Sequence, residues 1–269
     1  MDKPLSPFAR LVFAFVAVNA FIGAASLILF PDRTESLFFW EITPPINAAL
    51  FGALYLGGAA VVAWVTLRGR WEPGRFLTPV LVSAGVFISA VTFMHLDRFT
   101  PGLKLAYWLV VYVGAPLLAL LIYWQHERRG ADWSVIEPLR PATRAVAIGL
   151  GAILTLLGLA AVLFPSPVVA NWPWPTSALM TRIFASWFAA FGVGLLWFWL
   201  ERDWRRVRLI PVMMIAASAL DLLMVAVHRA DLHPISLSFW LFVLHLALFG
   251  VVGLGMVWWQ RRGAAISHP

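Results

Sequence analysis

Asp221 stands inside an apolar run, PVMMIAASALDLLMVAVH, which ends seven residues later at His228. An ionisable side chain in such a run is costly and needs a partner or water. At helical pitch seven residues make two turns, so Asp221 and His228 share a face, with Asp221 the deeper. His245 sits about eight residues into the last apolar run, at a depth similar to that of Asp221, and Arg182 about one turn into the sixth. Arg182, Asp221, His228 and His245 therefore form a candidate ligand-binding group around one cavity. The guanidinium attracts an anionic head group, while the carboxyl and imidazole carry a proton or orient the ligand. The same residues also suit a structural role, tying spans six to eight together, and spacing leaves both readings open.

Other chemistry is thinner. His95 with Asp97 and His228 with Asp231 recur at helix ends, and His233 follows. A haem or metal held between His95 and His228 is the weaker expectation, because a zinc site wants three or four converging ligands and no short-range ligand motif is present. Glu35 and Glu41 fall in an aromatic-rich loop better suited to a membrane surface than to carboxylate catalysis. Cysteine is absent, which excludes thiolate chemistry and disulfides. No phosphate-binding loop, HExxH, GxSxG or dinucleotide fingerprint occurs. That argues against an ATP-driven pump and most familiar hydrolases, and assigns no catalytic residue.

The elements that must position these groups are membrane helices. Hydrophobic residues make up 61% of the 269, charged residues 12%, and mean hydropathy is +0.83; soluble domains run nearer half apolar and a quarter charged. Eight segments reach the roughly 20 residues needed to cross hydrocarbon: 8–30, 46–67, 76–95, 103–124, 144–164, 178–200, 209–227 and 237–259. Unpaired backbone is not tolerated in lipid, so all are expected to be helices, including the first, which lacks a cleavage pattern. Fifteen of the twenty Lys and Arg residues fall on the side holding both termini, which predicts cytoplasmic termini. The net charge of +7 is thereby explained without a nucleic-acid partner.

The chain also reads as one four-helix unit written twice. Phe30-Pro31 is matched by Phe164-Pro165, His95 by His228, and Trp124-Gln125 by Trp259-Gln260, with offsets of 130 to 135 residues. The expected organisation is a first repeat over 1–129, a cytoplasmic linker over 130–143 and a second repeat over 144–269. An even number of spans per unit makes the two repeats parallel in orientation. Trp133, Val135 and Ile136 suggest a short interfacial helix in the linker. The copies differ in polarity: Ser89 or Ile88 stands opposite Asp221 and Tyr112 or Val113 opposite His245, while Asn19, Asn47 and Thr92 supply the first copy's polar groups. Glycines at contact spacing imply close helix packing or hinges. Trp40, Trp71, Trp108, Trp174 and Trp204, near span ends, suggest interfacial belts.

The stretch FPDRTESLFFWEITPPINAALFGALY, Phe30 to Tyr55, resembles a phrase found in uncharacterised multi-pass membrane proteins of bacteria. The resemblance implies a bacterial inner membrane and carries no site residue. The leading functional expectation is a membrane carrier or binding protein for a small amphipathic or anionic molecule, with a polar cavity in the second repeat. The alternative is a non-catalytic subunit or assembly partner of a larger membrane complex; an enzyme acting on haem or lipid ranks third. The partners expected are the lipid bilayer, such a ligand, or another membrane protein.

Overall fold

The computed structural model describes residues 3–128, 134–232 and 236–264. Arg129, Trp133 and His233 lie outside the described residues, as does the side chain of Asp231. Among the described residues eight helices are long and apolar enough to cross a membrane: α1 (Pro7–Leu29), α2 (Pro45–Arg68), α3 (Leu77–Met94), α4 (Leu103–Arg128), α5 (Pro141–Leu163), α6 (Ala178–Leu196), α7 (Leu209–Val227) and α8 (Leu237–Ala264). The protein is a helical multi-pass membrane protein.

Local chemistry starts and stops these helices. Ser6 and Ser177 cap α1 and α6 by accepting from Ala9 N and Met180 N, each at 3.1 Å. Pro7, Pro45 and Pro141 occupy first-turn positions, where a missing N–H costs nothing. Gly69, at φ 61°, closes α2 in the left-handed conformation. At the far ends of α4 and α8, Arg128 lies 3.9 Å over Trp124 and Arg262 3.8 Å over Trp258, one turn apart in each case. These pairs anchor the two longest spans, which run past the apolar segments into polar sequence.

Burial separates an inner ring from an outer one. Protein shields 72% of the apolar window in α2 and in α6, 61% in α3 and 50% in α7, against 28% in each of α1, α4, α5 and α8. The outer helices pack in order on the inner ones: α1 on α2, α4 on α3, α5 on α6 and α8 on α7. The centre closes through α2 against α7 and α3 against α6. Backbones of α5 and α6 meet directly. A Cβ on Gly192 would sit 2.8 Å from Gly151 O, and one on Gly158 2.8 Å from Ala185 O. Gly114, Gly149 and Gly255 face open space and make no such contact.

The face holding the first residues of α1 and the end of α8, here the terminal face, is tied by buried polar groups. Leu5 N donates to Gly69 O (2.9 Å) and Trp71 N to Lys3 O (2.8 Å); Leu139 N donates to Arg202 O and Trp204 N to Glu137 O, both at 2.8 Å. Ser6 N donates to His126 Nε2 and Arg140 N to Gln260 Oε1. Across the centre, Glu127 accepts from Trp71 Nε1 (3.1 Å) and Arg75 Nη2 (2.9 Å), Arg75 Nη1 reaches Glu201 (3.2 Å), and Arg206 Nη1 reaches the other Glu201 oxygen (3.4 Å). Arg75, Glu201 and Arg206 are all at most 2% exposed. Asp203, in the same turn, is buried, which opposes ionisation. Hydrogen bonds from the Arg205 side chain and from the Ile136 and Arg205 amides outweigh this and hold its carboxyl below the usual range.

Several tryptophans expected in interfacial belts are core instead. Trp71 and Trp108 are 1% exposed, and Trp40, Trp174 and Trp204 are also buried. The FFW triplet expected on the membrane surface likewise turns inward: Phe38 and Trp40 meet Trp108 edge-on, with ring centres 6.0 and 5.2 Å away. The reason is a docked loop. Lys104 Nζ donates to Glu35 O, Ser36 O and Phe38 O, filling the carbonyl end of the short helix Thr34–Leu37 and holding the triplet against α4.

Removing one partner of a buried ion pair leaves uncompensated charge and costs about 3 to 5 kcal/mol. Glu201→Ala is therefore expected to destabilise the folded protein by about that much, measured by unfolding in lipid nanodiscs. Arg98→Ala, which removes a pair to Asp97 whose side chains are 71% and 73% exposed, is expected to change stability by less than about 1 kcal/mol.

Candidate functional site

The four residues singled out in the sequence occupy different environments. Arg182 donates through Nε to Val162 O (2.8 Å), in the last turn of α5, and through Nη1 to His95 Nε2 (2.7 Å) at the end of α3. A cation at that helix-end carbonyl complements the dipole of α5. Asp221 is buried within α7, and its Oδ1 has no hydrogen-bond partner. One turn earlier Ser218 Oγ donates to Leu246 O of α8 at 2.7 Å, the polar link between those helices. His245 lies on an exposed flank of α8, its ring edge-on to Phe188 at 5.3 Å. His228, half-buried, ends α7 with its amide on Met224 O. No hydrogen bond or ion pair joins Arg182, Asp221 and His245 to one another.

The contact that does form, Arg182 to His95, bridges the first and second halves of the chain at the distal face, opposite the terminal face. Beside it lies a cavity of about 470 Å³ lined by Trp40 to Thr43, His95, Asp97, Arg98 and Ser177 to Met180. Asn47 makes a second bridge there: its amide nitrogen donates to Pro175 O (3.2 Å) and its oxygen accepts from Trp174 Nε1 (2.8 Å). Among the described residues no three His, Asp or Glu side chains are grouped to hold a metal ion.

A different constellation converges in the N-terminal half. Helices α1 to α4 enclose a cleft of about 260 Å³, floored by Trp187 of α6 and Met213 of α7. Among the described residues no Asp, Glu, Lys, Arg or His lines it. Its polar groups are Asn19, Ser26 and three tyrosines, with two tryptophan indoles. Near mid-span the hydroxyls of Tyr55 (α2) and Tyr112 (α4) make a short hydrogen bond with each other. At the mouth, Tyr107 of α4 donates to Asn19 Oδ1 of α1 across the seam. Tyr107, Ile22 and Leu37 are all at least 43% exposed, so the cleft opens sideways, where lipid surrounds the bundle.

Pro116 explains why Tyr112 points there. Proline has no N–H for the carbonyl four residues back and crowds it. Helix α4 accordingly widens into a π-turn over Val110–Gly114, and Tyr112 O accepts from Ser89 Oγ of α3 at 3.2 Å instead. The Pro116 ring fits against Gly85, the one residue type on α3 that leaves room. Such π-turns recur at functional sites. The position expected to match His245 thus holds a hydroxyl aimed at a cavity. Asn19 and Tyr112 are legible in the sequence as polar groups of the first copy, and for Tyr55 the signal is a tyrosine deep inside an apolar span, away from the interfaces where it usually sits; Tyr107, one turn into α4, carries no such signal.

Because arginine only donates, the Arg182 bond requires a neutral His95 with its Nε2 lone pair free. Burial, then the Arg182 charge, lowers the His95 pKa from its ordinary 6.5; Arg98 adds to this and Asp97 opposes it. The unfolded chain therefore binds a proton at higher pH than the folded one. The stability from this contact is present above about pH 6.5 and is lost as pH falls through the depressed folded value. Unfolding midpoints in nanodiscs are expected to drop between pH 7.5 and 5, with a shallower drop in His95→Gln, which keeps an acceptor for Arg182.

Comparison of the chain with known protein families, curated proteins and solved structures finds no significant match. The cleft and the two distal bridges are therefore interpreted from their own chemistry.

Proposed function

We propose that this protein is a membrane carrier or binding protein for a small, neutral amphipathic molecule, which enters the α1–α4 cleft sideways from the bilayer. The observation that carries the reading is a cleft without ionised groups, open toward lipid, with hydroxyls gathered at its mouth and centre. Ligand sites are typically concave and apolar with a few convergent polar groups, and this one has that make-up. Arg182, Asp221, His228 and His245 enter as a second locus, in which the unpartnered oxygen of Asp221 is the group a ligand would engage.

Two parallel four-helix repeats, 1–129 and 144–269, belong to the same proposal. Support comes from hydrogen bonds that recur at an offset of 133 or 134 residues, with the second set starting from Glu137, Leu139 and Arg140 at the end of the linker: Leu5–Gly69 with Leu139–Arg202, Lys3–Trp71 with Glu137–Trp204, and Ser6–His126 with Arg140–Gln260. On this reading only the first repeat keeps a tyrosine-lined cleft, because all four tyrosines, Tyr55, Tyr107, Tyr112 and Tyr123, fall within it. A bacterial inner membrane with cytoplasmic termini completes the proposal. Its support is the basic bias of the terminal face and the resemblance of Phe30 to Tyr55.

A hexadecanol bearing a photoreactive diazirine tests the site. In nanodiscs its crosslinks are expected to concentrate on peptides containing Asn19, Tyr55, Tyr107 and Tyr112. Gly58 lines the cleft and has open space at its Cβ position, so Gly58→Phe should fill the cavity and cut that labelling about tenfold without unfolding the protein. Asp221→Asn should leave it unchanged. Labelling spread evenly over all eight helices, or lost in Asp221→Asn and kept in Gly58→Phe, would overturn the assignment.

A further inference from the structure

Resting on the α1–α4 cleft as a ligand site, hydrogen accounting specifies what the ligand carries. Tyr55 and Tyr112 bring two hydroxyl hydrogens, and their mutual bond uses one. Neither hydroxyl makes a further hydrogen bond among the described residues, so one O–H donor remains unused in an apolar, mid-membrane cavity. Of the other polar groups on the lining, Tyr107 donates to Asn19 Oδ1, Asn19 Nδ2 to Phe15 O and Ser26 Oγ into its own helix, while Trp187 Nε1 is a second donor without a partner among the described residues. An orphaned donor is less tolerable in such surroundings than an unfilled oxygen lone pair, which is why buried N–H and O–H groups are almost always paired.

We propose that the Tyr55–Tyr112 pair donates its second hydrogen to a carbonyl oxygen on a neutral, otherwise apolar ligand. The absence of ionised side chains around the cleft disfavours a carboxylate or phosphate there, since neither would find a counter-charge. Shape agrees: the cleft extends from Leu37–Phe39 near the distal face to Leu77 and Val80 in the first turns of α3, so a ring or acyl chain lies along it with the carbonyl at mid-depth. Two membrane-soluble classes share this chemistry, quinones and fatty esters.

The test is competition against diazirine-hexadecanol labelling of the cleft in nanodiscs, with decylubiquinone, methyl laurate and dodecane added at equal membrane mole fractions. One hydrogen bond contributes about 1 kcal/mol, which corresponds to roughly fivefold in affinity. Decylubiquinone or methyl laurate is expected to compete at least about fivefold better than dodecane, and whichever leads identifies the source. Tyr55→Phe and Tyr112→Phe each leave one free hydroxyl donor and should keep the preference. The double variant removes both hydroxyls, leaving Trp187 Nε1 as the free donor, and should lose the preference while still being labelled; Trp187→Phe should keep it. Equal competition by dodecane, or a preference that survives in the double variant, overturns the carbonyl assignment and leaves the cleft itself intact. Absence of cleft labelling by the hexadecanol probe would instead remove the underlying ligand site.

Discussion

Inside hydrocarbon a chain can hydrogen-bond only to itself, and this molecule is shaped by that restriction. Its spans are helices because no other open structure pairs every amide. Its buried side-chain polar groups then sort into those that join helices and the few that are left over. Glu201, Arg75, Arg206 and Glu127 close the terminal face, and Asn47 and Arg182 bridge the distal one. Among those left over, Asp221 Oδ1 lies within α7, and on the cleft lining stand Trp187 Nε1 and a hydrogen of the Tyr55–Tyr112 pair.

The bridges fix where the bundle can change shape. Inner helices α2, α3 and α6 are tied at both faces, and with α7 they pack on one another through the centre. Outer helices α1 and α4 touch at the terminal end, through Ser6 and His126, and again at Asn19 and Tyr107. Between those points they leave the lipid-facing seam. A cleft bounded by two peripheral helices opens with less disruption than one at the centre, because no ion pair has to break.

Much of the scaffold was legible in the sequence because hydropathy and length act locally. Spans expected at 46–67, 103–124 and 209–227 appear as Pro45–Arg68, Leu103–Arg128 and Leu209–Val227. Side-chain partners were not legible, since they depend on which helices become neighbours. Arg182 and Asp221 lie in adjacent spans of the chain, yet Arg182 turns to His95, 87 residues away. Depth along a helix could be counted from the sequence, but the face each residue presents could not. Tryptophan suffered the same ambiguity: Trp71 and Trp258 look alike as span-end residues, and only packing makes one core and the other surface.

The π-turn in α4 has one more effect. An extra residue in the turn advances the helix by about 100°, so the segments before and after it present different stripes to their neighbours. One stripe serves Trp108 and Tyr112 in the aromatic core, and the other aims Ile122 and His126 at the terminal end of α1. Straightening α4 would force a choice between these alignments. Pro116 thus acts as a phase shifter, letting a single span satisfy two registries that a regular helix could not meet together.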